Sequence, residues 1–330
     1  MAILVSGGAG YIGSHMVHEL TDAGEQVVVL DNLSTGFRYL LPSQAPVVVG
    51  STGDRDLLTQ TMTRYRIDAI IHFAASVVVP DSVRDPLGYY LNNTMNTGIL
   101  IDAAVQAGVK QFIFSSTAAV YGNAEVSPVR EETPVKPISP YGTSKLMSEI
   151  MLHDASQAHG IRFVALRYFN VAGADPKLRT GQATAAATHL IKVAVEAALG
   201  KRDKVKVFGT NYPTPDGTGI RDYIHVSDLA RAHAAALAYL RRGGKSATFN
   251  AGYGHGHSVL DVLTAARRVS GVNFPVEMAE RRPGDPAELV ADISRIHNTL
   301  DWRPIYDDLD TIVSHALTWE RRLAAKRDSH

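Results

Sequence analysis

Short apolar runs alternate with segments of helical spacing over the first half of the 330-residue chain. The runs are rich in Val and Ile and end in polar or glycine-containing turns, which is typical of buried parallel strands covered on both faces. Between them, apolar residues recur at the spacing of one face of a helix. The predicted strands are residues 3–5, 27–30, 47–49, 69–73, 111–114 and 163–166, and the predicted helices are residues 12–23, 87–107 and 141–159.

This alternation of strand and helix predicts an α/β fold with a doubly wound parallel sheet of the Rossmann type. After about Val171 the alternation loosens, and turn-forming residues cluster at 173–188 and 209–219. The helices predicted in this half are residues 227–240, 258–270 and 311–325. Ser227 is the expected N-cap of the first of them. We expect this half to form mainly a smaller α/β domain packed on the first.

Charge and composition narrow the possible classes of protein. Lys and Arg number 33, as do Asp and Glu, so no net charge favours nucleic acid or an anionic membrane surface. The chain has no cysteine, which excludes disulfides, zinc thiolates and a cysteine nucleophile. The first apolar run is too short for a signal peptide, and no run approaches the roughly 20 apolar residues of a membrane helix. We therefore expect a cytoplasmic protein without nucleic-acid or membrane partners, and the scattered histidines indicate no metal site.

A glycine-rich loop directly follows the first predicted strand and opens the first predicted helix. Gly7, Gly10 and Gly13 allow a tight turn, bring backbone N–H groups against a pyrophosphate and let helix and strand pack closely. Asp31 ends the next predicted strand at about the expected twenty residues downstream. Its carboxylate suits the ribose hydroxyls of NAD and repels the 2′-phosphate of NADP. The loop and Asp31 together predict NAD binding.

Tyr141 and Lys145 lie four residues apart in a predicted helix, which places both side chains on one face. An unperturbed tyrosine has a pKa of about 10, too high for a base at neutral pH. A nearby ammonium and an oxidised nicotinamide both stabilise the phenolate and lower that pKa. Thr117 comes just after the fifth predicted strand, at the sheet edge where ligands of open α/β sheets bind. We expect its hydroxyl to bridge a substrate hydroxyl and Tyr141.

Motifs along nearly the whole chain resemble, in order, those of the UDP-glucose 4-epimerase family of extended short-chain dehydrogenases/reductases. They are Gly7-Gly8-Ala9-Gly10-Tyr11-Ile12-Gly13, Asp31-Asn32-Leu33-Ser34-Thr35-Gly36, His72-Phe73-Ala74-Ala75, Ser115-Ser116-Thr117-Ala118-Ala119-Val120-Tyr121-Gly122, Tyr141-Gly142-Thr143-Ser144-Lys145, Arg167-Tyr168-Phe169-Asn170, Asp216-Gly217-Thr218-Gly219-Ile220-Arg221-Asp222-Tyr223-Ile224-His225-Val226 and Arg282-Pro283-Gly284-Asp285.

The resemblance implies NAD-dependent inversion of C4 in a UDP-hexose, UDP-glucose or UDP-galactose, through a 4-keto sugar. It implies an NAD-binding domain of residues 1–171 with a returning segment near 222–252. Residues 172–330 would mainly bind the nucleotide sugar. It also implies a homodimer formed through helices such as 87–107 and 141–159.

The family's functional residues map onto this chain as follows. The catalytic residues would be Thr117, Tyr141 and Lys145. The cofactor would contact Gly7, Gly10, Tyr11, Ile12, Gly13, Asp31, Asn32, Ser34, Ser51, Thr52, Phe73, Ala74, Ala75, Asn93, Ser115, Tyr141, Lys145 and Tyr168. The UDP-sugar would contact Thr117, Tyr141, Phe169, Asn170, His189, Leu190, Phe208, Arg221, Arg282, Asp285 and Leu289.

Four positions depart from the pattern of the best-known members. Ser51 replaces an acidic residue near the adenine, and Val77 replaces a lysine, so the cofactor is expected to be held less tightly. His189 stands where the family often has asparagine for the diphosphate. Leu289 stands where some members have a tyrosine that sets the pocket size, and the smaller side chain would admit a 2-acetamido group.

Other functions remain as alternatives. A nucleotide-sugar 4,6-dehydratase typically has Asp-Glu directly after the threonine, and Ala118-Ala119 argues against it. A 4-epimerase of a UDP-N-acetylhexosamine, a UDP-uronate or a UDP-pentose would share the same motifs. A non-catalytic NAD-binding sensor is a different class, and such a protein usually loses the tyrosine or lysine that this chain retains.

Overall fold

The computed structural model describes residues 1–184, 187–282 and 285–327. The strands are β1 (Ala2–Ser6), β2 (Val27–Asp31), β3 (Val47–Val49), β4 (Ile67–His72), β5 (Gln111–Ser115), β6 (Arg162–Tyr168), β7 (Asn170–Ala172), β8 (Val205–Phe208), β9 (Ile220–Arg221), β10 (Tyr223–His225), β11 (Ala247–Ala251), β12 (His257–Ser258), β13 (Val276–Ala279) and β14 (Glu288–Leu289).

The helices are α1 (Tyr11–Asp22), α2 (Arg55–Tyr65), α3 (Val79–Arg84), α4 (Pro86–Tyr89), α5 (Asn96–Gln106), α6 (Pro140–His159), α7 (Leu190–Ala198), α8 (Val226–Arg241), α9 (Val259–Ser270), α10 (Ser294–Thr299) and α11 (Leu309–Arg327). A π-helical segment, Tyr90–Met95, joins α4 to α5, and 3₁₀ turns lie at Arg38–Leu40 and Ala118–Tyr121. Among the described helices, none combines the length and apolar character needed to cross a bilayer.

A seven-stranded sheet in the order β3-β2-β1-β4-β5-β6-β11 forms the centre of the molecule. Every neighbouring pair in it is parallel. The chain runs outward from β1 in one direction and then returns to β4 and runs outward in the other. The topological switch point therefore lies between β1 and β4, where such sheets bind ligands. The predicted Rossmann-type fold is confirmed, and all six predicted strands are present. The seventh strand, β11, was not predicted.

The two faces of this sheet bury different side chains, because successive strand residues point to opposite sides. Val5 and Ile71 pack on one face with residues of α1 and α8. Leu4, Ile70 and Phe112 pack on the other face with residues of α2, α5 and α6. This double coverage explains why the strands are almost continuously apolar.

Two predicted helix features differ in the structure. The predicted helix 87–107 is interrupted by the π-helical segment between α4 and α5, which periodicity alone does not reveal. The predicted N-cap Ser227 is wrong, since α8 begins at Val226 and its N-cap is His225. The His225 Nδ1 accepts the Ser227 N–H at 3.0 Å. The imidazole therefore caps the helix in place of the expected serine hydroxyl. Ser258 caps α9 through a reciprocal pair of hydrogen bonds with Asp261.

Small sheets extend the second half of the chain across the carboxyl edge of the central sheet. They pair β10 with β7, β13 with β8, and β12 and β14 with β9. Asp222, between β9 and β10, is fully buried. Its carboxylate accepts the Tyr253 and Gly254 N–H groups just after β11. These contacts attach the second half of the chain to the end of the central sheet.

Candidate active site

The glycine loop between β1 and α1 leaves no room for larger side chains. Gly7 has a φ of +70°, and a Cβ built on it would lie 2.5 Å from the Ala74 nitrogen. A Cβ on Gly13 would lie 2.1 Å from the Gly7 oxygen. Gly10 is the N-cap of α1 and offers no side-chain cap to the first N–H groups of that helix. The loop thus forms a close-fitting cradle with free donors, which fits the pyrophosphate of a dinucleotide.

Asp31, at the end of β2, fixes the loops on both sides of the cradle. Its Oδ2 accepts the Ala9 N–H at 2.9 Å, and its Oδ1 accepts the Leu33 N–H at 2.8 Å. Asn32 and Ser34 follow on an exposed turn, where the Asn32 Oδ1 accepts the Ser34 hydroxyl at 2.8 Å. The carboxylate remains next to the glycine loop, where a ribose can approach it and a phosphate is repelled.

The other predicted cofactor residues at the strand ends also lie along this edge. Phe73, Ala74 and Ala75 follow β4, and the N–H groups of the first two donate to the Ser6 carbonyl at the end of β1. Ser51 and Thr52 follow β3, where the Ser51 hydroxyl accepts the Gly53 N–H at 3.0 Å. The structure thus places these segments at the ends of β3 and β4, on either side of β1 and its cradle.

Three predicted cofactor residues have side chains that are engaged within the protein. The Tyr11 hydroxyl donates to the Gly173 carbonyl at 2.6 Å. Ile12 packs against the apolar core of the α1 face. The buried Asn93 amide binds the Ser76 backbone and the Ser144 hydroxyl. These contacts fix the surroundings of the cofactor cradle.

Tyr141, Lys145 and Thr117 meet where β5 ends against the start of α6. The Lys145 Nζ donates to the Ser115 carbonyl at 2.9 Å and lies 4.9 Å from the centre of the Phe114 ring. The Thr117 side chain lies close enough to the Tyr141 hydroxyl to act on its pKa, and its own hydroxyl accepts the Ala119 N–H at 3.1 Å. All three side chains are at most 8 % exposed. Sequence spacing placed them on neighbouring elements, and the structure brings them together.

Burial dominates the charge states of this cluster. It lowers the pKa of Lys145 to about 7 and raises the pKa of Tyr141 above its usual value, while the neighbouring Thr117 hydroxyl acts in the opposite direction on the pKa of Tyr141. The Tyr168 hydroxyl bonds the Ser115 hydroxyl at 2.5 Å, and burial raises its pKa to about 12. We expected the ammonium to lower the pKa of Tyr141. In the buried site a further positive charge, such as an oxidised nicotinamide, has to contribute to that lowering.

Phe169, Asn170, His189 and Leu190 lie on the side of the cluster toward the second half of the chain. Phe169 follows β6, and Asn170 begins β7. His189 is the N-cap of α7, and its Nδ1 lies 2.8 Å from the Gln182 amide nitrogen. Asn170, His189 and Leu190 line one cavity. The structure therefore groups these predicted substrate residues.

A second group of predicted substrate residues lines or adjoins an open cleft of about 740 Å³. Arg282 and Asp285 line it, and the Arg221 Nη2 donates to the Asp285 Oδ1 at 2.7 Å. The Arg282 guanidinium lies 3.8 Å from the centre of the Phe208 ring, a cation–π contact. Pro283 and Gly284, which completed the predicted motif, lie outside the described residues.

Leu289 connects this cleft to the Tyr141 cluster. It pairs with Arg221 in the β14–β9 ladder. Its side chain packs against the apolar cluster of Ala118, Val120, Tyr121 and Phe169, which begins one residue after Thr117. Leu289 therefore contacts both the strand of Arg221 and the apolar cluster next to Thr117.

Sequence reasoning missed several charged groups near the site. Glu149 and Arg167 form a buried ion pair behind Lys145. Arg281 lies 4.0 Å over the Tyr212 ring at the cleft. The four-residue spacing of Tyr141, Lys145 and Glu149 was a usable signal for the first pair, whereas nothing in the sequence shows the second contact. Across the three described ranges, no cluster of His, Cys, Asp or Glu is arranged to hold a metal ion.

A Rossmann-type sheet with a glycine cradle, an acidic end of β2 and a clustered Thr, Tyr and Lys defines a nicotinamide-dependent short-chain dehydrogenase/reductase. A model of the "NAD dependent epimerase/dehydratase family" matches residues 3–252. The chain belongs to this family, and NAD is its cofactor. The predicted resemblance and cofactor are confirmed.

Named relatives extend the comparison over nearly the full length. A UDP-glucose 4-epimerase of Azospirillum brasilense is 58% identical over 321 residues, which cover 97% of this chain and 92% of the relative. The structure of a UDP-glucose 4-epimerase from Brucella ovis in complex with NAD is 44% identical with a TM-score of 0.94, and the match covers 96% and 97% of the two chains. The UDP-Glc/GlcNAc 4-epimerase of Campylobacter jejuni is 49% identical with a TM-score of 0.86, over 97% and 99%.

We predict that Gly7→Ala weakens NAD binding by about 100-fold or more, because the added Cβ displaces the segment after β4 and closes the cradle. Gly24→Ala is the matched control. Gly24 also has a positive φ, +78°, but a Cβ there meets nothing within 4 Å. Calorimetric titration of each folded variant with NAD measures the effect. Wild-type affinity in the Gly7 variant would contradict the assignment of the cradle.

Proposed function

We propose that the protein catalyses reversible, NAD-dependent C4 epimerisation of UDP-glucose and UDP-galactose through a 4-keto sugar. The observation that carries this proposal is the meeting of Thr117, Tyr141 and Lys145 at the end of β5, between the glycine cradle and an arginine-lined cleft. The full-length relatives named UDP-glucose 4-epimerase support the same reaction.

In the proposed mechanism, Tyr141 accepts the proton of the sugar C4 hydroxyl. NAD, when bound, supplies a ring that takes up hydride from C4 and returns it. Thr117 donates a hydrogen bond that orients the reacting oxygen, and the Lys145 ammonium stabilises the phenolate of Tyr141. Tyr141 returns its proton when the 4-keto sugar is reduced from the opposite face. The reaction is redox-neutral overall, so no external oxidant is consumed.

Inversion requires the sugar to turn while the nucleotide stays fixed. The cleft supports this division of roles. Arg221 and Arg282 suit a diphosphate, and Asp285 suits ribose hydroxyls. Phe208 adjoins the same cleft through Arg282, and we infer that His189, which caps α7 and lines the separate cavity with Asn170, also faces the nucleotide. The sugar end, near Leu289 and Phe169, is lined by apolar side chains that hold a sugar only loosely.

The remaining site assignments belong to this proposal. We infer that NAD contacts the glycine cradle, Asp31 and the strand-end residues described above. Residues 1–171 with the segment 222–252 form the NAD-binding part, and the rest mainly binds the UDP-sugar. A cytoplasmic location accords with metabolism of a soluble nucleotide sugar.

The reaction is tested by incubating the purified protein with UDP-galactose, first without and then with added NAD, and following the sugar anomeric signals by NMR. We expect UDP-glucose to appear, and Tyr141→Phe to lower kcat by at least about 1000-fold while still binding NAD. Activity that appears only with added NAD indicates weak cofactor retention, as Val77 and Ser51 suggest. No turnover with NAD present would contradict the hexose assignment, and UDP-uronates and UDP-pentoses would be tested next.

A second candidate activity is 4-epimerisation of UDP-N-acetylhexosamines. The observation that favours it is Leu289, which leaves more room beside Phe169 than a tyrosine would. The 49% identical relative from Campylobacter jejuni is named for both glucose and N-acetylglucosamine substrates.

We predict that Leu289→Tyr lowers turnover of UDP-N-acetylgalactosamine by about tenfold or more and leaves UDP-galactose turnover within about threefold, because a larger ring fills the acetamido space. Leu289→Met, of similar volume, is the control. The ratio of kcat/KM for the two sugars measures the effect. An unchanged ratio, or a wild type that fails on all acetamido sugars, would remove this activity.

We also propose a homodimer formed through α4, the π-helical segment, α5 and α6. These elements pack on each other and carry solvent-exposed apolar side chains on their outer face. Leu87 is 77% exposed and Leu91 61%, and Met95, Met147 and Ile150 are exposed beside them. A contiguous apolar patch of this kind is typical of a subunit interface.

We predict that the double variant Leu91→Glu/Ile150→Glu is a monomer, because a dimer would bury four unpaired carboxylates. Ile305→Glu is the control, since Ile305 is 63% exposed but lies beside Asp228 at the start of α8, on the opposite face of the sheet. Sedimentation velocity distinguishes the states. A double variant with the wild-type sedimentation coefficient of a dimer would contradict the proposed interface.

A further inference from the structure

Three consecutive residues at the end of β5 each face one side chain of α6. The Ser115 carbonyl accepts from Lys145, the Ser116 hydroxyl donates to Glu149, and Thr117 lies beside the Tyr141 hydroxyl. The α6 partners are spaced four residues apart, so they form one row along the helix. The proposed mechanism uses two residues of this row, Tyr141 and Lys145. It gives no role to the third, Glu149.

Glu149 is held by a second, equally buried charge. The Arg167 Nη2 and Nε donate to its carboxylate at 2.6 Å and 3.0 Å, and both side chains are at most 8% exposed. The Arg167 Nη1 donates to the Tyr121 hydroxyl at 3.1 Å, which in turn donates to the Asn250 side chain at 2.7 Å. Apolar residues of similar shape usually stabilise a core as well as a buried ion pair does. Stability alone therefore does not account for this pair.

We propose that Glu149 is a positioning residue for the epimerisation, which holds the end of β5 in place against α6 and sets a carboxylate one helical turn from Lys145. This inference rests on the proposed function. The bond from Ser116 to Glu149 fixes Ser116. Ser116 lies between Ser115, which binds Lys145, and Thr117, which lies beside Tyr141. The bonds from Arg167 hold the carboxylate in place. Glu149 itself touches neither substrate nor cofactor in this arrangement.

The charges around Lys145 support this role. The titratable groups that face it or its neighbours are Tyr141 and Glu149 on α6, Tyr168 on β6, His72 on β4 and Tyr89 on α4, with Arg167 of β6 beyond Glu149. Glu149 supplies the negative charge in this set. Burial lowers the pKa of Lys145 to about 7, and the Glu149 carboxylate opposes that lowering. A neutral residue at position 149 would therefore let Lys145 lose its proton at a lower pH.

The test is a titration of Lys145 in the NAD-bound protein, followed by NMR of isotopically labelled lysine side chains and assigned through Lys145→Met. We expect Glu149→Gln to lower the pKa of Lys145 by about one unit, and Glu149→Asp to restore most of it. Glu131→Gln is the matched control. Glu131 is buried in the same network, where it accepts the Asn250 N–H at 2.8 Å, but it lies on the far side of Arg167. We expect no shift in that variant.

Kinetics provide the second measurement. At neutral pH, Glu149→Gln is expected to lower kcat by about tenfold with KM for the UDP-sugar within about twofold, because the nucleotide cleft is untouched. Ser116→Ala keeps the Glu149 carboxylate but removes its hydrogen bond from position 116. This variant is expected to lower kcat without changing the pKa of Lys145. This variant carries the test if Glu149→Gln does not fold.

Three outcomes would overturn the inference. The first is an unmoved Lys145 titration in folded Glu149→Gln, and the second is an equal shift in Glu131→Gln. The third is wild-type kcat in Ser116→Ala. The titration does not depend on turnover. A wild type that is inactive on UDP-galactose would therefore count against the proposed function, whereas the effect of Glu149 on the pKa of Lys145 would still be decided by the titration.

Discussion

The buried contact between the Lys145 ammonium nitrogen and the Ser115 carbonyl oxygen, 2.9 Å long, is the interaction on which the rest of the site depends. Taking an ammonium out of water is costly, so its position has to be fixed by the packing around it. That packing comes from Leu152 of α6 and Phe112 of β5, which share one apolar cluster and hold the helix against the strand. The same contact brings Tyr141 to Thr117, one helical turn away.

The position of α6 also links the cofactor side to the substrate side. The glycine cradle lies at the end of β1, two strands from β5 in the sheet. On the other side, the Asn170 N–H donates to the Asp222 carbonyl, and Arg221 precedes that buried aspartate. Asp222 is fully buried at this junction, and burial raises its pKa to about 6. The arginine of the cleft is thus fixed relative to the end of β6.

Much of the fold could be predicted from the sequence, because a strand buried on both faces leaves a short, nearly continuous apolar run. All six predicted strands were found, and the glycine loop lies where its spacing placed it. The seventh strand was missed because its residues 247–251, Ala-Thr-Phe-Asn-Ala, mix polar and apolar side chains. The cap of α8 was wrong because a histidine takes a role that hydroxyl and carboxylate residues usually fill.

The candidate site could be predicted from the sequence only in part. Tyr141 and Lys145 are close in sequence, so helical spacing alone placed them together. Contacts between distant residues, such as Glu149 with Arg167 or Arg281 with Tyr212, depend on packing that no local pattern records. The assigned roles of individual site residues stay predictions.

The most direct measurement of the central claim follows the hydrogen at C4. UDP-galactose labelled with deuterium at C4 is converted in ordinary water, and the UDP-glucose formed is examined by mass spectrometry and NMR. The account predicts that the deuterium remains at C4, because hydride is taken up and returned within one closed site. Replacement of the label by solvent hydrogen would show that the configuration is inverted by proton exchange, and would contradict the account.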